Sequence, residues 1–150
     1  MSYTRSLYHL VFRTYDSKPA LALEHSEKLY RYIWGFCREK ECALIRINGM
    51  EDHLHLLFRL HPDIALSAFV RDLKTASSKW IKQHRDAFPD FCAWGKGYAA
   101  FSYSHNEQEA IKNYIAGQRE HHRTKTFDEE FREFLSENNI AFDEKYFLRE

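Results

Sequence analysis

Two apolar runs flank the dipeptide Asn48-Gly49, and no other local feature constrains the fold of this chain as tightly. Asn-Gly supplies the pair of positive φ angles that a two-residue hairpin demands. Residues 42–47 and 53–60 therefore read as antiparallel strands joined at that turn. Upstream, Leu7–Arg13 (LYHLVFR) is rich in branched and aromatic types, and Asp16, Ser17, Lys18 and Pro19 then break it with turn chemistry, which makes it a first strand. Between residues 21 and 40, Leu29, Ile33, Phe36 and Cys37 recur at spacings of three and four, the stripe of an amphipathic helix.

Downstream, His61-Pro62-Asp63 ends the third strand, and Asp63 or Ser67 is placed to cap a helix reaching about residue 84. Leu66, Phe69, Val70, Leu73, Ala76 and Trp80 share its apolar face. Pro89 and the glycines of Trp94-Gly95-Lys96-Gly97 make a loop before a fourth strand at 98–103. Asn106 is expected to cap a helix over 107–121, and Phe127, Phe131, Phe134 and Leu135 mark another over 127–138, followed by a short extended tail at 144–148. The order βαββαβα, without repeats, predicts an α+β fold: a four-stranded, mainly antiparallel sheet in a ferredoxin- or RRM-like sandwich with helices packed against it. At 150 residues and 44% hydrophobic content the chain suits one domain spanning 1–150.

Composition narrows the functional classes. No apolar run approaches the roughly 18 residues of a membrane span, and the N-terminus lacks a signal-peptide core, so a cytoplasmic protein without membrane contact is expected. Cys37, Cys42 and Cys92 form no CxxC pair, which argues against a disulfide framework or a zinc knuckle. Net charge is zero, yet residues 127–150 carry 8 of the 22 acidic and 3 of the 22 basic side chains, leaving the rest with a surplus of five positive charges. A mildly basic body beside an acidic tail suits a nucleic-acid binder and many ordinary proteins alike.

Chemistry concentrates in two places. In His53-Leu54-His55 the histidines are two apart on a strand, so both side chains leave one face and can converge on one ion. Two imidazoles lining a half-buried polar face fit this tripeptide equally well. Asp52 alternates to the opposite face and is left out of the ion's shell. In Tyr114-Ile115-Ala116-Gly117-Gln118, a spacing of four puts the phenol and the amide on one side of a helix, where Gln118 could complete a metal shell. Gly117 within that helix costs roughly 1 kcal/mol against alanine, which suggests either close approach by DNA or a partner, or simple tolerance.

Taken together, these elements make the chain resemble the HUH single-tyrosine transposases of small bacterial insertion sequences (the IS200-like and REP-associated families). The resemblance rests on His53-Leu54-His55 as the HUH motif, on Tyr114 and Gln118 as YxxxQ, and on the segments LYHLVFRT, ALSAFVRDLKTASSKWI, WGKGYAAFSYS and YIAGQREHHRTKTFDEEFREFL. It implies a DNA transposase in which Tyr114 attacks a phosphorus atom of single-stranded DNA and holds a 5′-phosphotyrosine. It further implies that His53, His55 and Gln118 ligate Mg2+ or Mn2+, that hairpins at element ends are bound, and that a homodimer shares its active sites, one protomer's tyrosine helix serving the partner's histidines.

Arg71, Lys74, Lys79, Lys82, Arg119, Arg123 and Lys125 could track a DNA backbone, and His121 and His122 could touch phosphate; a solvated helix face explains them as well. Trp80 and Trp94 could stack on bases or pack in the core. Two other readings stand beside the transposase: a non-catalytic nucleic-acid-binding module of similar fold, and a two-histidine phosphoesterase. The latter ordinarily carries two HxT or HxS motifs, whereas this chain has a single HxH.

Overall fold

A computed structural model describes residues 2–141, so the extended tail expected at 144–148 lies outside the described residues. Four strands, β1 (Leu7–Arg13), β2 (Ala43–Met50), β3 (His53–Arg59) and β4 (Ala99–Tyr103), form one antiparallel sheet in the order β2-β3-β1-β4. The helices are α1 (Ser26–Glu39), α2 (Leu66–Lys82), α3 (Gln108–Ala116), α4 (Gln118–His121) and α5 (Phe127–Glu137). None of the described helices is long and apolar enough to cross a membrane.

Strand alternation divides the sheet into two unlike faces. Leu10, Phe12, Leu54, Leu56 and Phe58 point to one side and merge with the apolar stripes of α1 and α2, among them Leu29, Ile33, Phe69, Val70 and Leu73. The stripe predicted for α1 is the one buried. On α2, Phe69, Val70 and Leu73 are buried as predicted, Leu66, Ala76 and Trp80 are half-buried, and Ser77 and Ile81 complete the buried side. Full burial of each such side chain stabilises the fold by about 1.5–3 kcal/mol. Trp80 and Trp94 both belong to this side. Trp94 is buried edge-on against Phe12 with its indole N–H donating to Ser77 Oγ at 2.9 Å, and Trp80 stacks on His84 and Tyr32.

The opposite face presents Leu7, His9, Val11 and Arg13 of β1 alongside His53, His55 and Leu57 of β3, and α3 and α5 cover it. Its two apolar clusters, around Leu57 with Ile115 and around Phe101 with Phe134, are small and flank a buried polar centre.

Several boundaries differ from the sequence reading, each for a local reason. The hairpin turns at Glu51 and Asp52 rather than at Asn48-Gly49, because β2 runs on through the pairs Asn48↔His55, Gly49↔Leu54 and Met50↔His53. Gly49 serves close approach there: a Cβ would collide with the His53 carbonyl oxygen. Asn48 spends its amide on the end of α3, donating to the carbonyls of Ile115 at 3.0 Å and Ala116 at 3.2 Å.

Neither Asp63 nor Ser67 caps α2, whose N-cap position is Ala65. Ser104 replaces Asn106 as the cap before α3, closing a reciprocal capping box with Glu107. The single helix expected over 107–121 breaks at Gly117 into α3 and α4. A Cβ on Gly117 would meet only ordinary contacts at 3.6 and 3.7 Å, so nothing among the described residues demands glycine there.

Candidate metal and tyrosine site

The centre of the second face is built from five elements, β1, β3, α3, α4 and α5. β3 supplies His53 and His55, both fully buried on the same side as expected from their spacing. The α3–α4 break carries Tyr114 and Gln118 to them, and Gln118 Oε1 lies 3.2 Å from His53 Nε2. All four residues singled out as the site therefore meet within one chain. Asn48 fixes the end of α3 between Tyr114 and Gln118, so the residue pair expected to form a turn instead positions the tyrosine helix.

Two residues of the cluster, Glu130 and His9, escaped the sequence reading, and a third, His122, was read there as a DNA contact. Glu130 of α5, 1% exposed, is its hub. Its Oε1 lies 2.9 Å from His55 Nε2, 3.6 Å from His53 Nε2 and 3.3 Å from His122 Nε2. Its Oε2 accepts hydrogen bonds from the Tyr114 hydroxyl and, at 3.0 Å, from the Gln118 amide. His122, assigned to DNA contact from sequence, turns inward instead, while His121 stays at the rim 3.3 Å from the Tyr114 hydroxyl. His9 of β1 is wholly buried and stacks beside His55, with its Nε2 at 2.8 Å from His55 Nδ1.

Asp52 also requires correction. It sits in the hairpin turn, where strand alternation no longer applies, and its carboxylate accepts from His53 Nδ1 at 2.7 Å. A carboxylate behind a histidine fixes the tautomer and turns the other ring nitrogen outward as a lone pair. In that tautomer, His53 Nε2 and Gln118 Oε1 are two acceptors 3.2 Å apart, a pair that a proton or a metal ion between them satisfies. The donor set therefore fits a metal ion: His53, His55, His122 and Glu130 bring ligand atoms within 4.8 Å of one another.

Burial sets the protonation of the cluster. It pushes His55 down to about 4, against the opposing pull of Glu130, so the ring is neutral and ligand-competent at neutral pH. Burial likewise holds His9 well below its ordinary value, with His55 adding to the effect. Burial alone would raise the Glu130 carboxyl, but the His122 ring 3.3 Å away and the hydrogen bond from His55 hold it far below the usual carboxylate range. Burial, followed by the hydrogen bond to Glu130 and its charge, pushes the Tyr114 phenol well above its ordinary value, so it stands as a protonated donor.

Two clefts reach this centre. One, about 320 Å³, is lined by Tyr103, Ile111, Tyr114, His121, Glu130 and Phe134 among others. The other, about 420 Å³, runs between the β2–β3 turn and the α4–α5 connection past Asp52, His122, Arg123 and Lys125.

The basic residues of α2 lie elsewhere. Arg71, Lys79 and Lys82 are exposed on α2, across the sheet from the cluster. Lys74 is engaged: its ammonium donates to the carbonyls of Gly95, Lys96 and Gly97 at 2.8, 3.1 and 2.8 Å, and burial lowers it to about 8. The glycine loop is thereby tied to α2. Arg119 reaches back to Ser26 at the start of α1, Arg123 pairs with Glu120, and Lys125 pairs with Glu133.

Fold and site together define an α+β protein with a buried, metal-competent histidine and carboxylate cluster beside a tyrosine. Residues 2–118 match the family model described as transposase IS200 like, and the chain belongs to that family. It is 26% identical over 115 residues to the ISDra2 transposase TnpA of Deinococcus radiodurans, covering 74% of this chain and 82% of that protein. Among solved structures, it is similar to a putative transposase from Deinococcus radiodurans R1, with TM-score 0.62, 23% identity, and 78% and 93% of the two chains covered. It is also similar to a REP-associated tyrosine transposase bound to a REP hairpin, with TM-score 0.56, 13% identity, and 78% and 68% covered. These two likenesses concern the fold. His122 and Glu130 lie past the stretch that the family model matches.

Proposed function

We propose that this chain is a cytoplasmic DNA transposase that cuts and rejoins single-stranded DNA through a covalent link to Tyr114. The observation that carries the reading is the meeting of Tyr114, Gln118, His53 and His55 in one buried cluster of one chain. Membership of the IS200-like family supports the reaction class, and a relative bound to a REP hairpin supports DNA hairpins at element ends as the partner.

In this reading Tyr114 Oη forms the new bond to phosphorus, and the bond from phosphorus to the 3′ oxygen breaks. The 3′-hydroxyl leaves with a proton, and the 5′ side stays on the tyrosine. The nearest acceptor for the phenolic proton is Glu130 Oε2. Rejoining runs the same exchange backwards: a 3′-hydroxyl attacks the phosphotyrosine and the phenol regains its proton. The bond energy is held on the side chain throughout, so no ATP is consumed.

His53, His55 and Gln118 would hold the divalent ion, Mg2+ or Mn2+, with Asp52 and His9 orienting the two rings from behind. Such an ion polarises a phosphoryl oxygen and offsets the charge that develops on it. Tyr114 and Gln118 reach the histidines of their own chain, so a homodimer with shared sites is not needed to assemble this set.

The test is direct. Full-length protein is incubated with labelled single-stranded DNA from the flanks of its own gene plus Mg2+ or Mn2+, and denaturing gels are read for a protein–DNA adduct. An adduct is expected with the wild type and none above background with Tyr114→Phe. Persistence of the adduct in Tyr114→Phe, or its absence from the wild type with cognate DNA, overturns the reading.

A further inference from the structure

The cluster contains more ligands than the two histidines and the amide require. We propose that His122 and Glu130, from the α4–α5 segment, join His53 and His55 as direct metal ligands, giving this chain a three-nitrogen, one-oxygen shell that selects transition ions over Mg2+. The inference deepens the metal half of the preceding reading, with which it shares His53 and His55, and it makes residues past 118 part of the site.

Geometry carries it. A tetrahedral shell with metal–ligand bonds of about 2.1 Å has edges of about 3.4 Å between ligand atoms. The three edges that meet at Glu130 Oε1 are 2.9 Å to His55 Nε2, 3.3 Å to His122 Nε2 and 3.6 Å to His53 Nε2, which bracket that length. All four ligand atoms lie within 4.8 Å of one another.

The placement of His122 agrees with those edges. Its side chain is 5% exposed, and its buried Nε2 points into the cluster, where it meets Glu130 Oε1 at 3.3 Å without good hydrogen-bond geometry. A metal ion at the centre of the four atoms would satisfy that nitrogen better than the carboxylate alone does.

The ligand types then decide the ion. Imidazole nitrogens suit Zn2+ better than Mn2+ or Mg2+, which prefer oxygen ligands, and Mg2+ also keeps several waters. With Glu130 and His122 in place the chain fills four positions before DNA arrives, and a phosphoryl oxygen would enter as a fifth ligand. Asp52 behind His53 and His9 behind His55 add the outer hydrogen bonds that hold ligating rings in place.

The test reads metal, not DNA. Chelator-stripped full-length protein is titrated with Zn2+, Mn2+ and Mg2+ by calorimetry, and with Co2+ by visible absorption, whose intensity reports tetrahedral coordination. One ion per chain is expected, with Zn2+ at least about tenfold tighter than Mg2+ and a tetrahedral Co2+ spectrum. Glu130→Ala and His122→Ala should each weaken Zn2+ by about tenfold or more and lower the Co2+ intensity, whereas Arg31→Ala, exposed on α1, should leave both unchanged. His122 sits at a helix end, so its variant keeps the test valid if Glu130→Ala fails to fold. The proposal is overturned if both alanine variants bind Zn2+ within twofold of wild type, or if the wild type prefers Mg2+. In either case the Tyr114 adduct experiment still judges the transposase reading on its own.

Discussion

The two faces of the sheet are made by the same strands and yet obey different rules. On the side of α1 and α2 the inward residues Leu10, Phe12, Leu54, Leu56 and Phe58 are all apolar, and the helices answer with their own stripes. On the side of α3 and α5 the inward positions include His9, His53 and His55, and α5 answers with a carboxylate. The first face obtains its stability from area removed from water. The second buries polar groups that cost several kcal/mol each unless paired, so most ring nitrogens and carboxylate oxygens there pair with one another, and His9 Nδ1 and His122 Nε2 are the buried exceptions among the described residues. The fold thus stands on one face and keeps its chemistry on the other.

Breaking the dry face should cost most. Phe58 is fully buried and stacks on Phe69 with ring centroids 4.5 Å apart. Phe58→Ala should destabilise the protein by roughly 3–5 kcal/mol, read from the denaturant midpoint at constant slope. A loss under about 1 kcal/mol would show that this side is loosely packed.

The polar face should instead be broken by acid. His55 has a folded value of about 4, against about 6.5 when unfolded. Between those values the unfolded chain binds more protons, so stability falls as pH drops through that window and levels off below it. The loss from this group is about 3 kcal/mol. His9, also held low, adds to the fall, and Glu130 adds to it further down as its carboxylate becomes protonated. His122 opposes in part: burial would lower it, but Glu130 raises it, so its contribution is present in acid and fades as pH rises. Unfolding of chelator-treated protein at pH 7 and pH 4.5 measures the net effect, and His55→Gln should flatten it. An equally steep pH dependence in that variant would mean that other groups govern the acid loss.

How legible each face was follows from the same contrast. Period-two and period-three-to-four apolar patterns report burial against a dry partner, so Leu10, Phe12, Leu29, Phe69 and Leu73 could be read directly from sequence. The site was legible only as motifs on separate elements: His53 with His55, and Tyr114 with Gln118. Glu130 was missed because it lies in an acidic stretch that looks solvated. The usable signal was its register, three residues after Phe127 and four before Phe134, on the apolar stripe of its own helix. His9 gave a similar signal as a polar residue set between Leu7 and Val11 on one side of its strand. Asn48-Gly49 misled because the asparagine amide is engaged by a helix end 67 residues further on, a partner that no local rule foresees.

That long-range bond predicts a smaller and more specific effect. Asn48→Ala frees the carbonyls at the end of α3, so stability should fall by about 1–2 kcal/mol, while the rate of adduct formation falls further than stability does. Tyr114 is placed by the helix that Asn48 holds, and small displacements of a reacting group are costly. Equal activity in Asn48→Ala at a temperature where it remains folded would show that the α3 end is positioned by Leu57, Ile111 and Ile115 alone.

Lys79 and Lys82 should matter least, and they separate the faces most cleanly. Both are on α2, on the far side of the sheet from Tyr114. If the DNA strand that reaches the tyrosine runs only over the α3–α5 side, replacing both lysines by alanine should leave the adduct rate, its salt dependence and the denaturant midpoint all unchanged. For a single strand, the slope of log affinity against log salt reports the phosphates that the protein neutralises, at roughly 0.7 for each. A slope shallower by about 0.7 or more in the double variant would therefore place DNA on both faces and end the division of labour between them. An unchanged slope would confine the DNA to the face where the titratable residues lie, with Arg123 and Lys125 flanking the second cleft as the next positions to vary.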